Sequence, residues 1–175
     1  MPLRIAVSGP ESTGKTTLAR KLAEHFEEPW VPEYSRIYFQ DREGGYQLDD
    51  LVAILEGQLQ LEKEKEKESS RLLFCDTEPT VVKIWAKDKF GQVPEKIKTV
   101  SNSQSYDLIL LCSPDVPWFY DPLREDPHRR DYLYDLYKKE LEAANQNYLE
   151  ITGDYLKRFE TALEAVNRLS EEVLP

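Results

Sequence analysis

"GPESTGKTT", running from Gly9 to Thr17, decides how the rest of this chain is read. Gly9, Gly14, Lys15 and Thr16 fit the G-x-x-x-x-G-K-[ST] spacing of a phosphate-binding loop. In such a loop, successive backbone N–H groups turn inward around phosphates, and the next helix aims its positive end at them. Lys15 is placed to reach the β- and γ-phosphates, and the Thr16 hydroxyl to join a Mg²⁺ shell. The flanks agree. "LRIAVSG" (Leu3–Gly9) is an apolar run suited to a buried strand, and Leu18, Leu22 and Phe26 recur at helical spacing. Strand, glycine-containing loop and helix together predict a nucleoside triphosphate site, with Gly9, Glu11, Ser12, Thr13, Gly14, Lys15, Thr16 and Thr17 around the phosphates.

Working outward, short apolar runs alternate with amphipathic stretches, the pattern of a parallel sheet covered by helices. Strands are expected at Leu3–Ser8, Trp30–Glu33, Leu72–Asp76, Asp107–Cys112 and Tyr148–Thr152, in a single domain over residues 1–175. The fold class is α/β, a three-layer phosphate-loop NTPase with a five-stranded sheet in the order 2-3-1-4-5. A long helix carries Leu48, Leu51, Val52, Leu55 and Leu59 and runs into "EKEKEKESS", which reads as a solvated helix end. A last helix presents Leu156, Phe159, Leu163, Val166 and Leu169 on one face. "SPDVPWFYDPLREDPHRRD" (Ser113–Asp131) cannot be one regular helix, because prolines stand at 114, 117, 122 and 127. Its position and its three arginines mark a lid over about residues 114–131.

Composition narrows the partners. With 33 acidic and 23 basic residues the net charge is −10, a field that repels nucleic acid. No apolar run reaches the length of a membrane span, and the first strand begins too early for a signal peptide, so a cytoplasmic protein is expected. Cys75 and Cys112 read as reduced core thiols, and His25 and His128 have no Cys/His cluster that would make a zinc site.

Several enzyme classes share the loop. The chain lacks the N-K-x-D string of GTPases and the L-S-G-G-Q string of ABC-type ATPases, and "CDTE" interposes Thr77 where remodelling ATPases carry Asp-Glu. A small-molecule kinase remains, needing a base, a metal partner and lid arginines. Glu33 in "VPEYSR" and Asp76 in "CDTE" end neighbouring strands, where open α/β sheets bind ligands. One would accept the acceptor's proton and the other would orient the Mg²⁺ shell, with Asp76 and Thr16 as metal residues. Arg124, Arg129 and Arg130 would neutralise charge on the transferred phosphoryl. The loop Gly153–Arg158 is the expected place for adenine, with Arg158 as a nucleotide contact.

"GPESTGKTTLARKLAEHF", "VPEYSR", "EGQLQLE", "FCDTEPTVVKIWA" and "YDLILLCSPDVPWFYDPLR" together resemble the ribosylnicotinamide kinase domain of NadR-type proteins, in order from Leu3 to about Arg158. The resemblance implies ATP with Mg²⁺ and phosphorylation of the 5′-hydroxyl of nicotinamide riboside. It also implies that Glu33, Tyr34 and Arg36 border the riboside, that Asp76 is catalytic, and that Trp118, Asp121 and Arg124 belong to the lid. Family members often read D-T-D where this chain has Asp76-Thr77-Glu78. The H-x-G-H motif of the family's adenylyltransferase domain does not occur in this chain, nor does its helix-turn-helix. The pyridinium of such an acceptor calls for an acidic, aromatic pocket. The aromatic candidates are Trp30, Tyr34, Trp85 and Trp118, with Glu33, Asp115 and Asp121 as carboxylates; Trp85 shares a helix face with Val81 and reads as core. A kinase for another nucleoside and a nucleotide-dependent switch are the rival readings.

Overall fold

The computed structural model describes residues 1–120 and 127–173. Five parallel strands, β1 (Leu3–Ser8), β2 (Trp30–Val31), β3 (Leu72–Asp76), β4 (Leu108–Cys112) and β5 (Tyr148–Ile151), form one sheet in the order β2-β3-β1-β4-β5. The expected order holds. Seven helices join them among the described residues: α1 (Lys15–Phe26), α2 (Tyr34–Phe39), α3 (Leu48–Glu66), α4 (Pro79–Phe90), α5 (Glu95–Ser103), α6 (Arg130–Ala143) and α7 (Tyr155–Val173).

The strand sequences explain the layering. β3 (LLFCD) and β4 (LILLC) are buried at every residue, as central parallel strands covered on both faces must be. Alternate side chains go to opposite faces. Ile5, Val7, Leu72, Phe74, Leu108 and Leu110 meet Leu18 and Leu22 of α1 and Ala162 and Val166 of α7. Ala6, Leu73, Cys75, Ile109 and Leu111 meet Ile84 of α4 and Leu133, Tyr137 and Leu141 of α6. A third cluster joins Leu51, Ile54 and Leu55 of α3 to Val82, Ala86 and Ile97.

Four details differ from the sequence reading. β2 stops at Val31 rather than Glu33, because Pro32 has no N–H to give a ladder and Glu33 becomes the N-cap of α2. Helices α2 and α5 were not legible as periodic stretches. The face of α7 is centred on Arg158, Ala162 and Val166, which leaves Leu156 66 % exposed. Glu62, the first residue of the charge run, is buried: Arg4 and the Tyr106 hydroxyl bond its carboxylate. Burial raises the pKa of that carboxyl. The remainder of the run, from Lys63, does lie at the solvated end of α3.

Candidate active site

The carboxyl ends of β1, β3 and β2 converge on one cleft of about 630 Å³, within the usual range for a ligand site. Its floor is the loop of residues 9–17. Gly9 leaves β1 with φ +129°, and a Cβ there would stand 2.6 Å from the Cys112 carbonyl oxygen, so only glycine fits against β4. Gly14, the N-cap of α1, has φ +81° and lies against the Tyr155 ring. Lys15, which lines the cleft, donates from Nζ to Pro10 O at 2.7 Å, so its ammonium rests on the loop. Arg130 Nη1 donates to Ser12 O and Arg158 Nη1 to Thr13 O, each at 3.0 Å.

Behind the loop stands Asp76, 1 % exposed. Thr16 Oγ1 donates to its Oδ2 at 2.5 Å, while its Oδ1 is buried with no hydrogen-bond partner. Burial first, and the Glu33 charge second, push the Asp76 carboxyl up to about 6 from an ordinary 3.8. An orphaned carboxylate oxygen beside a loop hydroxyl is an oxygen donor set of the kind Mg²⁺ takes, so Thr16 and Asp76 fit the metal role.

Glu78, the second carboxylate of "CDTE", is committed elsewhere. It accepts from Ser8 Oγ and from Thr80 N, both at 2.7 Å, and so caps α4 and ties it to β1. Thr77 between the two carboxylates has φ +81°, a left-handed conformation that a β-branched residue adopts only under constraint. Its N–H bonds Val7 O at 3.0 Å, which continues the β1–β3 ladder and holds Asp76 against the loop.

Away from the loop the cleft turns aromatic. Glu33 and Arg36 line its near part, 3.7 Å apart, and Ser35 Oγ donates to Glu33 at 2.8 Å. Phe39, Tyr46 and Trp85 line the far part, with Trp85 Nε1 donating to the Tyr46 hydroxyl at 2.8 Å. Asp88 lies beside them, gripped by both terminal nitrogens of Arg129 at 2.6 and 3.0 Å.

The expected site residues therefore divide. Gly9, Glu11 through Thr17, Glu33 and Arg36 line one cleft, and Asp76 joins them through its bond from Thr16. Tyr34 does not line the cleft: its ring fills the space over Gly57 of α3, and its N–H donates to Gln58 Oε1. Trp30 packs beside the core under α1, and Trp118 donates to Glu11 Oε1 at 3.2 Å rather than lining the aromatic end. Trp85, read as core, reaches the cleft. Arg129 braces Asp88, and Arg158, 2 % exposed, is a buried strut on main-chain carbonyls instead of an exposed nucleotide contact. Asp121 and Arg124 lie outside the described residues. Phe39, Tyr46 and Asp88 were not anticipated, and Tyr155 falls in the loop expected near adenine; only the Gly44-Gly45 turn before Tyr46 hints in the sequence at a wall there. Burial raises the Cys75 thiol well above its ordinary range and Cys112 to about 11, which makes both inert.

A 2-3-1-4-5 parallel sheet, a phosphate loop after its central strand and an Asp closing the neighbouring strand define a phosphate-loop kinase fold. A family model for an AAA domain matches residues 4–158, and the chain belongs to that family. The trifunctional NAD biosynthesis/regulator protein NadR of Escherichia coli is 28 % identical over 175 residues, covering 96 % of this chain and 43 % of its own length. Its counterpart in Salmonella typhimurium is 27 % identical with the same coverage. The chain thus spans less than half the length of these relatives. A crystal structure of NadR protein in complex with NR superposes with a TM-score of 0.83 at 24 % identity, over 97 % of this chain and 52 % of that one. Thymidylate kinase from Ehrlichia chaffeensis matches at 0.64 and 13 % identity, over 94 % of this chain and 98 % of its own. These structural likenesses bear on the fold. They give the chain the phosphate-loop kinase fold.

Proposed function

We propose that this chain is an ATP-dependent kinase that phosphorylates the 5′-hydroxyl of nicotinamide riboside to give nicotinamide mononucleotide. One observation carries the reading: a single cleft joins the phosphate loop to an aromatic end, with Glu33 on its wall and Asp76 bonded to Thr16 behind the loop. The relatedness to NadR, and the NadR structure solved with NR, support the choice of acceptor.

The residues divide the work. The loop N–H groups and Lys15 bind the β- and γ-phosphates, and adenine rests toward Tyr155 at the start of α7. Thr16 and Asp76 hold Mg²⁺, which when bound neutralises charge on the phosphate oxygens. The pyridinium lies against Trp85, Tyr46 and Phe39, where a cation over an aromatic face gains about 0.5–2 kcal/mol. Glu33, which lines the cleft, takes the proton of the 5′-hydroxyl as that oxygen bonds the γ-phosphorus; the bond from the γ-phosphorus to the bridging oxygen breaks and ADP leaves. Arg36, paired with Glu33, holds that carboxylate toward the acceptor.

The test is acceptor-dependent turnover. ADP release should be fast with MgATP and nicotinamide riboside and slow without the riboside. Release that is equally slow with and without acceptor would instead indicate a nucleotide-dependent switch.

A further inference from the structure

Two arginines, Arg130 and Arg158, hold main-chain carbonyls of the phosphate loop. A peptide group is planar and trans, so its C=O and the following N–H point in opposite directions. Whatever holds a loop carbonyl outward therefore turns the next N–H inward. Arg130 Nη1 holds Ser12 O at 3.0 Å, which aims the N–H of Thr13 into the cleft. Arg158 Nη1 holds Thr13 O at 3.0 Å, which aims the N–H of Gly14 the same way.

Both guanidinium groups are themselves anchored on neighbouring loops. Arg130, at the first turn of α6, also donates to Val116 O at 2.9 Å, at the root of the lid. Arg158 donates to Gly153 O at 2.6 Å and Ser113 O at 2.8 Å, and pairs with Asp115. Asp115 in turn accepts from Gly153 N at 2.7 Å. The sites of attachment are 118 and 145 residues away from the loop in sequence. A guanidinium suits this task because its fixed fork satisfies two acceptors at once and never loses its charge. Pulling on the carbonyl oxygen also polarises the peptide group, which makes the inward N–H a better donor to an anion.

We infer that Arg130 and Arg158 are positioning residues, which set the direction of the Thr13 and Gly14 N–H groups for the phosphates by holding the preceding carbonyls from behind. This rests on the reading that the loop binds a nucleoside triphosphate, and it replaces direct contact between these arginines and ATP.

The test uses Arg130→Met, which keeps the apolar stem and removes the donors, and Arg130→Lys, which restores one donor. The probes are MgADP, MgAMP-PNP and inorganic tripolyphosphate, measured by titration calorimetry beside thermal unfolding. Losing one well-directed N–H to an anion should weaken all three probes by about tenfold in Arg130→Met. Arg130→Lys should recover part of that loss, and KM for the acceptor should be unchanged. Weaker MgAMP-PNP binding with unaltered MgADP would mean that Arg130 touches the γ-phosphate, and would overturn the inference. Parent-like binding of all three probes would overturn it as well. Arg158→Lys gives a second route: parent-like binding in a folded protein refutes the Arg158 half. A parent protein that binds none of the probes would instead remove the nucleotide-site reading itself.

Discussion

Asp76→Asn should stabilise the metal-free protein while abolishing turnover. The carboxyl of Asp76 is 1 % exposed, one of its oxygens has no partner, and its pKa is about 6 against an ordinary 3.8. A carboxyl with a raised folded-state pKa binds its proton more tightly in the native state than in the unfolded one. Stability therefore falls as pH rises from the unfolded value, near 4, through the folded value, near 6. A shift of this size corresponds to roughly 3 kcal/mol at pH 8, of which about 1.4 kcal/mol develops between pH 5 and pH 8. Asn can still accept from Thr16 Oγ1 through its carbonyl, so that hydrogen bond survives while the buried charge is removed. Its amide inherits the site of the orphaned Oδ1, which reduces the net gain to about 1–2 kcal/mol. In a domain of this length that is roughly 2–8 °C in Tm at pH 8. The assay is thermal unfolding of parent and variant in EDTA from pH 5 to pH 8, with ADP formation measured in parallel. The difference in Tm should widen as pH rises. A variant that melts below the parent at pH 8, or a difference that does not change with pH, would refute the reasoning about the buried charge.

Lys15→Ala should end phosphoryl transfer with a loss of stability no larger than about 1 kcal/mol, because only one partly buried hydrogen bond to Pro10 O goes with it; parallel activity and melting curves check this, and near-parental ADP production would contradict it. Gly57→Ala should destabilise by about 1–2 kcal/mol despite the better helix propensity of alanine, since the new methyl overlaps the Tyr34 ring. In a Tyr34→Ala background the same change should become neutral or stabilising, which denaturant titration of the double mutant will show. Trp85→Leu should lower kcat/KM for nicotinamide riboside by about tenfold while leaving KM for ATP alone. Trp118→Leu, which loses the bond to Glu11 and the edge-on contact with Tyr120, should not change acceptor selectivity.

What could be read from the chain follows the range of each interaction. The phosphate loop is a local device: six residues of backbone and the first turn of α1 make it, so its spacing is visible in "GPESTGKTT". The strands of the sheet are nearly as local, because continuous apolar runs such as "LILLC" need burial on both faces. Asp76 is legible for the same reason, as a charge ending a buried strand. The aromatic end of the cleft is not. Trp30, Tyr34, Trp85 and Trp118 are equivalent in one dimension, and only the packing of α2, α3 and α4 sends Trp85 into the cleft and Tyr34 onto Gly57. Arginines mislead in the same way. A guanidinium in a lid and one near a loop both suggest phosphate contacts, whereas Arg158 is buried against carbonyls from three segments that the sequence keeps far apart. Glu62 shows the limit of composition: a charge run reads as solvated until Arg4 is found opposite its first residue.

The central claim is that the cleft takes a cationic nucleoside as phosphate acceptor. The direct measurement is kcat/KM for nicotinamide riboside, uridine and cytidine with saturating MgATP. The pyridinium charge against Trp85, Tyr46 and Phe39 predicts a preference for nicotinamide riboside of roughly three- to thirty-fold over either neutral nucleoside. Equal or better phosphorylation of uridine or cytidine would contradict the account of the acceptor.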